Sequence, residues 1–279
     1  MKIKLISFIL LAVGFLFLSS CKSDFEKLRA TGDVDLIYKK AFEYYEKEEY
    51  AKAQNLFELI INSLRGKVEA EKVYFYYANT HYQLRRYVLA SYYYSNFSTT
   101  FPNSTFREEA DFMTAYSNYQ LSPSYRLDQT YSSKAIDQFQ LFVNTYPTSE
   151  KVSECNQLID EMRRKLEQKA FAEGELYYNL RQYQAATQSF ENLLRDFPET
   201  PDAERVRFLV MKGNFLLAEN SIIGKQPERY EATLEFYKKF IKKYPISKYR
   251  KEADSISKTS NKMLKKLEND RYQIQSSRS

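Results

Sequence analysis

Few residues in this chain could do covalent or acid–base chemistry. Among 279 residues there are two cysteines, Cys21 and Cys155, and one histidine, His81. No Gly-rich phosphate loop, nucleophile-elbow serine or zinc-spaced His/Cys set accompanies them. The sequence therefore offers no catalytic constellation and no metal site, and the chain is expected not to be an enzyme. Its 36 Asp and Glu and 42 Lys and Arg fall at helix-surface spacing, where they pair as solvated faces. What the chain holds in excess is rings: 25 Tyr and 20 Phe, with no Trp. A tyrosine joins apolar contact area to a hydroxyl that both donates and accepts, which is binding chemistry rather than bond-making chemistry.

Cys21 ends a segment with its own physics. Lys2 and Lys4 make a positive start, and Leu5 to Leu18 is a largely apolar run of secretory-signal length, short of the roughly 20 residues that span a bilayer. The run stops at Ser19-Ser20-Cys21 and turns polar at Lys22-Ser23-Asp24. Leu18-Ser19-Ser20-Cys21 resembles the lipobox of bacterial lipoproteins. The resemblance implies that residues 1–20 are a removed signal peptide and that Cys21 carries a covalent lipid with acyl chains such as palmitate, the only cofactor-like group expected. Several acyl chains, at about 0.8 kcal/mol per buried methylene, would hold the protein on a bilayer. By likeness to lipoprotein sorting signals, Lys22 in place of Asp favours the outer membrane. Cys155 is then the only thiol left and is read as a small helix residue without a disulfide partner. Loss of Lys2 and Lys4 lowers the formal charge of +6 to about +4.

With 6 Gly where average usage would give roughly 20, glycine turns and hairpins are scarce and a helical protein is favoured. One pattern recurs five times: a small residue, Ala twelve positions on, then an aromatic, an apolar residue and Pro. The clearest copy is Gly174, Ala186, Phe190, Leu193, Pro198, and another is Ala78, Ala90, Tyr94, Phe97, Pro102. The first is Ala41, Ala53, Phe57, Ile60. Two copies carry an insertion: Ala115 leads to Ala135, Phe139, Phe142 and Pro147, and Gly213 leads to Thr233, Tyr237, Phe240 and Pro245. Tyr50, Tyr87, Tyr183 and Tyr230 precede the Ala position by three.

This is the spacing of the tetratricopeptide helical hairpin. The expected fold is all-α, a right-handed superhelical α-solenoid of about five such hairpins. Small residues let paired helices approach, aromatics fill the space between hairpins, and the prolines end each second helix. Thr200-Pro201-Asp202 reads as an N-cap with Pro at the first helical position. The wide gap from Ala115 to Gly174 predicts a rigid, Pro-free helix over about 150–180. Residues 34–149 then form an N-terminal lobe of three repeats, and 150–269 a C-terminal lobe of two joined by the long helix. Residues 21–33, a lipidated linker, and the tail 270–279 are read as flexible.

First helices of such hairpins line the concave face. That places Tyr38, Phe42, Tyr45, Phe75, Asn79, Tyr82, Phe112, Tyr116 and Tyr119 on one stripe, suited to an extended peptide with apolar side chains. The alternative is that these rings pack between helices. Repeat five offers Val210, Asn214 and Leu217 instead, so the stripe is assigned to the N-terminal lobe. His81 falls where repeats one and four place Tyr44 and Tyr177, a packing position. A basic cluster, Lys238, Lys239, Lys242, Lys243, Lys248, Arg250 and Lys251 with Lys262, Lys265 and Lys266, suits an acidic protein surface, anionic head groups or plain solvent, and nucleic acid is not an expected partner.

Over nearly its whole length the sequence resembles the BamD family, the tetratricopeptide lipoproteins of the outer-membrane β-barrel assembly (BAM) machine. The more specific stretches are Phe101-Pro102-Asn103-Ser104-Thr105-Phe106-Arg107-Glu108-Glu109-Ala110, its echo Tyr244-Pro245-Ile246-Ser247-Lys248-Tyr249-Arg250-Lys251-Glu252-Ala253, and Leu121-Ser122-Pro123-Ser124-Tyr125-Arg126-Leu127-Asp128-Gln129-Thr130. The resemblance implies a body facing the periplasm and held to the outer membrane by lipid alone. It implies that the N-terminal lobe receives segments of unfolded barrel proteins and that the C-terminal lobe docks on the POTRA domains of the barrel-forming subunit. A repeat scaffold for envelope or cell-wall division complexes is the alternative.

Overall fold

A computed structural model describes residues 24–276. The signal segment and Cys21 lie outside these described residues. Twelve α-helices follow one another, with no strand among the described residues: α1 Asp24–Ala30, α2 Val34–Glu46, α3 Tyr50–Ile60, α4 Glu69–Gln83, α5 Tyr87–Thr100, α6 Arg107–Gln120, α7 Thr130–Thr145, α8 Val152–Asn179, α9 Tyr183–Asp196, α10 Ala203–Glu219, α11 Gln226–Lys243 and α12 Arg250–Ser276. Consecutive helices from α2 to α11 pair as five hairpins, consistent with a tetratricopeptide-like α-solenoid. The long helix expected between hairpins three and four is α8.

Each repeat residue type has a visible cause. Ala41, Ala53, Ala78, Ala90, Ala115, Ala135 and Ala186 are fully buried, so nothing larger than a methyl separates the helices there. Gly174 is tighter still, since a Cβ on it would lie 2.5 Å from the ring of Phe190. At Gly213 the close neighbour is Thr187 of the preceding hairpin, 2.8 Å from where a Cβ would stand, so this small residue serves the joint between hairpins. Phe57, Tyr94, Phe139, Phe190 and Phe240 are buried. The residue before each proline caps its helix and turns its ring back, as Phe101 does on Phe97 at 5.1 Å and Tyr146 on Phe142 at 5.0 Å.

The tight turns need no glycine. Glu48, Arg85 and Arg181 take the left-handed conformation, at φ of 58°, 57° and 59°, directly after α2, α4 and α8. In each turn two crossed backbone bonds close a Schellman motif, for example Glu48 N–H to Tyr45 C=O and Glu49 N–H to Tyr44 C=O, both 2.9 Å. A second device fixes the loop that leaves each hairpin to that hairpin's first helix. Ser104 donates to Glu71, Ser149 to Glu108 at 2.6 Å and Thr200 to Glu167. Each hydroxyl stands two residues after the proline, and each Glu seven residues before the small position. The same hydroxyls accept the backbone N–H of Phe106, Lys151 and Asp202.

Several sequence expectations change. The segment 21–33 is not unstructured throughout: α1 is helical, its Phe25 and Leu28 packed on the first core and Phe25 edge-on to Tyr44 at 5.7 Å. Asp33 caps α2, accepting the N–H groups of Asp35 and Leu36 at 3.1 and 3.0 Å. The helix after repeat five runs through Ser276 instead of ending near Asp270. Thr200 is not an N-cap, because α10 starts at Ala203 and the Thr200 hydroxyl is engaged by Glu167. The described residues form two compact units, 24–121 with 134–155, and 122–133 with 156–276. The division thus falls inside α8, past residue 150, and the first insertion joins the second unit. Lys169 donates to the Leu127 carbonyl at 2.7 Å and Gln129 to that of Ser124 at 2.8 Å, which ties the insertion to the lower part of α8.

Candidate peptide-binding face

In the first unit the face is built by α2, α4 and α6, whose small residues Ala41, Ala78 and Ala115 point into the hairpins. Positions one and four residues after the small residue then sit side by side on one flank of each helix. Phe42, Tyr45, Asn79, Tyr82, Tyr116 and Tyr119 occupy them and are half-buried, as is Tyr38. Two ring clusters result. Tyr38, Phe42, Tyr45 and Tyr76 are linked at 4.9, 5.1 and 4.8 Å. Tyr82, Tyr116 and Tyr119 are linked at 6.2 and 5.6 Å. Tyr76 was missed by the repeat count because it lies one position off the stripe.

Phe75 and Phe112 belong to the packing alternative. They are only 6% and 5% exposed, too little to offer a ligand a surface. Three residues before the small position, a side chain points at the next second helix. Phe75 stacks on Phe106 at 4.8 Å and meets Phe97 edge-on, while Phe112 lies against Phe139 and Phe142 under the Lys151 ammonium. The second unit has a ring pair of its own at an equivalent repeat position. Tyr178 is half-buried on α8 and pairs with Tyr183 at 5.6 Å, as Tyr45 pairs with Tyr50 and Tyr82 with Tyr87, both at 5.4 Å. In hairpin five Val210 is buried and the Asn214 amide bonds back to its carbonyl.

The electrostatics favour a neutral, hydrogen-bonding surface. Burial pushes Tyr45 and Tyr82 up to about 12, so both keep their hydroxyl proton at any physiological pH. Beneath them the Tyr94 hydroxyl is buried with no hydrogen-bond partner among the described residues, and burial, together with Tyr45, Glu109 and Tyr82 nearby, raises its pKa well above the ordinary value. Lys72 sets its ammonium 4.5 Å from the Phe42 ring and 5.8 Å from that of Tyr76, a cationic margin on an aromatic floor.

His81 is not at this face. It is buried, stacked on Tyr93 at 4.8 Å and 2.9 Å from the Gln54 amide, whose oxygen accepts from Arg86. Burial, and secondarily the Arg86 charge, lower its pKa to about 4, so it is a neutral core group. Cys155 is likewise buried, its thiol pushed up to about 11 by burial. In the basic cluster, Lys238 pairs with Glu235 and Arg250 with Asp254. Among the described residues no helix is long and apolar enough to cross a membrane.

A family model described as outer membrane lipoprotein, YfiO, matches residues 31–223, from just before α2 to just past α10. No curated protein sequence matches the chain. The chain belongs to the YfiO family of outer membrane lipoproteins, the BamD-type family that its sequence resembles.

Proposed function

We propose that this outer membrane lipoprotein is a non-enzymatic adaptor of β-barrel assembly. Its Cys21 carries the lipid, its body faces the periplasm, and its first unit takes extended segments of unfolded barrel proteins. The second unit docks on the POTRA-bearing barrel subunit. The observation that carries this reading is the row of half-buried rings on α2, α4 and α6, with neutral tyrosine hydroxyls beside them. A transmembrane β-strand alternates apolar and polar side chains, so every second residue can lay a side chain on the rings while its backbone meets phenol hydroxyls.

The test is a crosslinked pull-down of the lipidated protein from its native membranes, with partners identified by mass spectrometry. A POTRA-bearing barrel protein in near-equal amount is the expected result. Cell-wall or division proteins in its place would overturn the reading in favour of an envelope scaffold.

A further inference from the structure

Away from the aromatic face, each unit has a cleft between one second helix and the next hairpin. In the first unit it lies between α5, α6 and α7 and measures about 380 Å³. In the second it lies between α9, α10 and α11 and measures about 310 Å³. The two are equivalent by repeat position: counting from Ala90 and Ala186, Ser98 corresponds to Leu194 and Thr99 to Arg195. Counting from Ala135 and Thr233, Gln138 corresponds to Phe236 and Leu141 to Lys239.

Each holds a guanidinium whose buried Nε has no hydrogen-bond partner among the described residues, Arg107 in the first and Arg207 in the second, and the clefts differ in what surrounds it. The first cleft is lined by Ser95, Ser98, Thr99 and Gln138, and its one cation, Arg107, stands 3.7 Å from Asp111 and donates to the Pro102 carbonyl. The second has an apolar wall of Leu194, Val210 and Phe236 and a rim of Arg195, Arg207 and Lys239 against the single carboxylate Glu191. Arg207 Nε is buried and has no hydrogen-bond partner among the described residues. Lys239 lies 5.5 Å over the Phe236 ring with no ion pair among the described residues. A buried guanidinium N–H without an acceptor costs free energy that an incoming oxyanion would recover, and the guanidinium fork matches a carboxylate.

We propose that this second cleft binds a monocarboxylate joined to one apolar group. The carboxylate lies on Arg207 and Lys239, and the apolar group on Leu194 and Phe236. Glu191 at the rim disfavours a dianion, and the volume, at the low end for ligand pockets, admits one ring or branched chain rather than a cofactor. The site is independent of the aromatic face and of its proposed peptide.

Calorimetric titration of the full chain tests it, with 4-phenylbutyrate as the probe, 4-phenylbutyramide as its neutral isostere, acetate as charge alone and phenyl phosphate as a dianion. Saturable binding of 4-phenylbutyrate is expected, with the amide and acetate about tenfold weaker or worse, and the Arg207→Gln and Lys239→Gln variants about tenfold weaker. Ser98→Ala in the first cleft should leave binding unchanged. N-acetyl-leucine separates two sources of the same chemistry: tighter binding than 4-phenylbutyrate assigns the cleft to chain termini, weaker binding to free acids, and both support the site. Equal binding of the amide, tighter binding of phenyl phosphate, or no saturation below about 20 mM would overturn it. The ligand series on the unaltered protein decides the matter even if a variant fails to fold.

Discussion

The two units use one repeat and diverge in what the repeat leaves free. In both, the small residue, the Ala twelve positions on and the aromatic after it are buried and alike: Ala78, Ala90 and Tyr94 in one, Gly174, Ala186 and Phe190 in the other. The outward positions of the first helices carry Phe42, Asn79 and Tyr116 in the first unit, but Glu175 and Asn214 in the second. The clefts diverge in charge, with hydroxyls and a balanced Arg107–Asp111 pair in the first and a cationic rim in the second. Packing therefore constrains about one side of each helix and leaves the rest available for recognition. Rings are displayed at one place and charge at another, on a common scaffold whose stability is a sum of local interfaces.

The comparison breaks most readily in the core. Phe75→Ala should cost about 3–5 kcal/mol, because the ring is 6% exposed and stacked on Phe106. Hydrogen exchange should show the loss in the first unit while the second keeps its protection. Uniform loss over both units would mean that they fold as one.

Acid should also act on the first unit. His81 titrates near 4 when folded against an ordinary 6.5, so between these values the unfolded chain binds a proton that the folded chain does not. Stability should then fall as the pH drops from 6.5 toward 4, by no more than about 3.5 kcal/mol. His81→Gln should remove this part of the slope in denaturant titrations. An unchanged slope would show that His81 charges freely within the fold.

Gly174→Ala probes the second unit in the same way. Its Cβ would stand 2.5 Å from a ring that is fully buried and cannot swing aside, so about 1–3 kcal/mol should be lost. The first unit has Ala at the same position and tolerates it, which makes the contrast direct. The smallest effect is expected at the turns. Glu48→Gly relieves a left-handed residue but adds freedom to the unfolded chain, and thermal unfolding should move by no more than about 1 kcal/mol.

Much of the fold was legible because its residues repeat. The small residue, Ala, aromatic and Pro positions mark five hairpins, and the unusual gap between Ala115 and Gly174 marks α8. What was not legible depends on neighbours that no period reveals. Phe75 falls on the expected stripe, yet Phe106, a loop residue of the next hairpin, covers it. Phe25 and Leu28 sit in a short polar segment without a pattern, and only the ring of Tyr44 and the core beside it give them a place. The Ser and Thr to Glu bonds could have been found by aligning the copies, since Ser104, Ser149 and Thr200 fall two residues after Pro in each. The turns hid because charged residues, not glycine, hold the left-handed position. The cationic cleft draws on three helices far apart in sequence, and the basic residues of α11 suggested only a surface.

The half-buried rings of the first unit are proposed to hold an extended strand. The direct measurement is the affinity of the full chain for a ten-residue peptide of alternating aromatic and polar residues, compared with the Tyr45→Ala, Tyr82→Ala, Tyr116→Ala triple variant, whose helicity is first checked by circular dichroism. The folded variant should bind at least about a hundredfold more weakly. An unchanged affinity would contradict it and place the peptide site elsewhere.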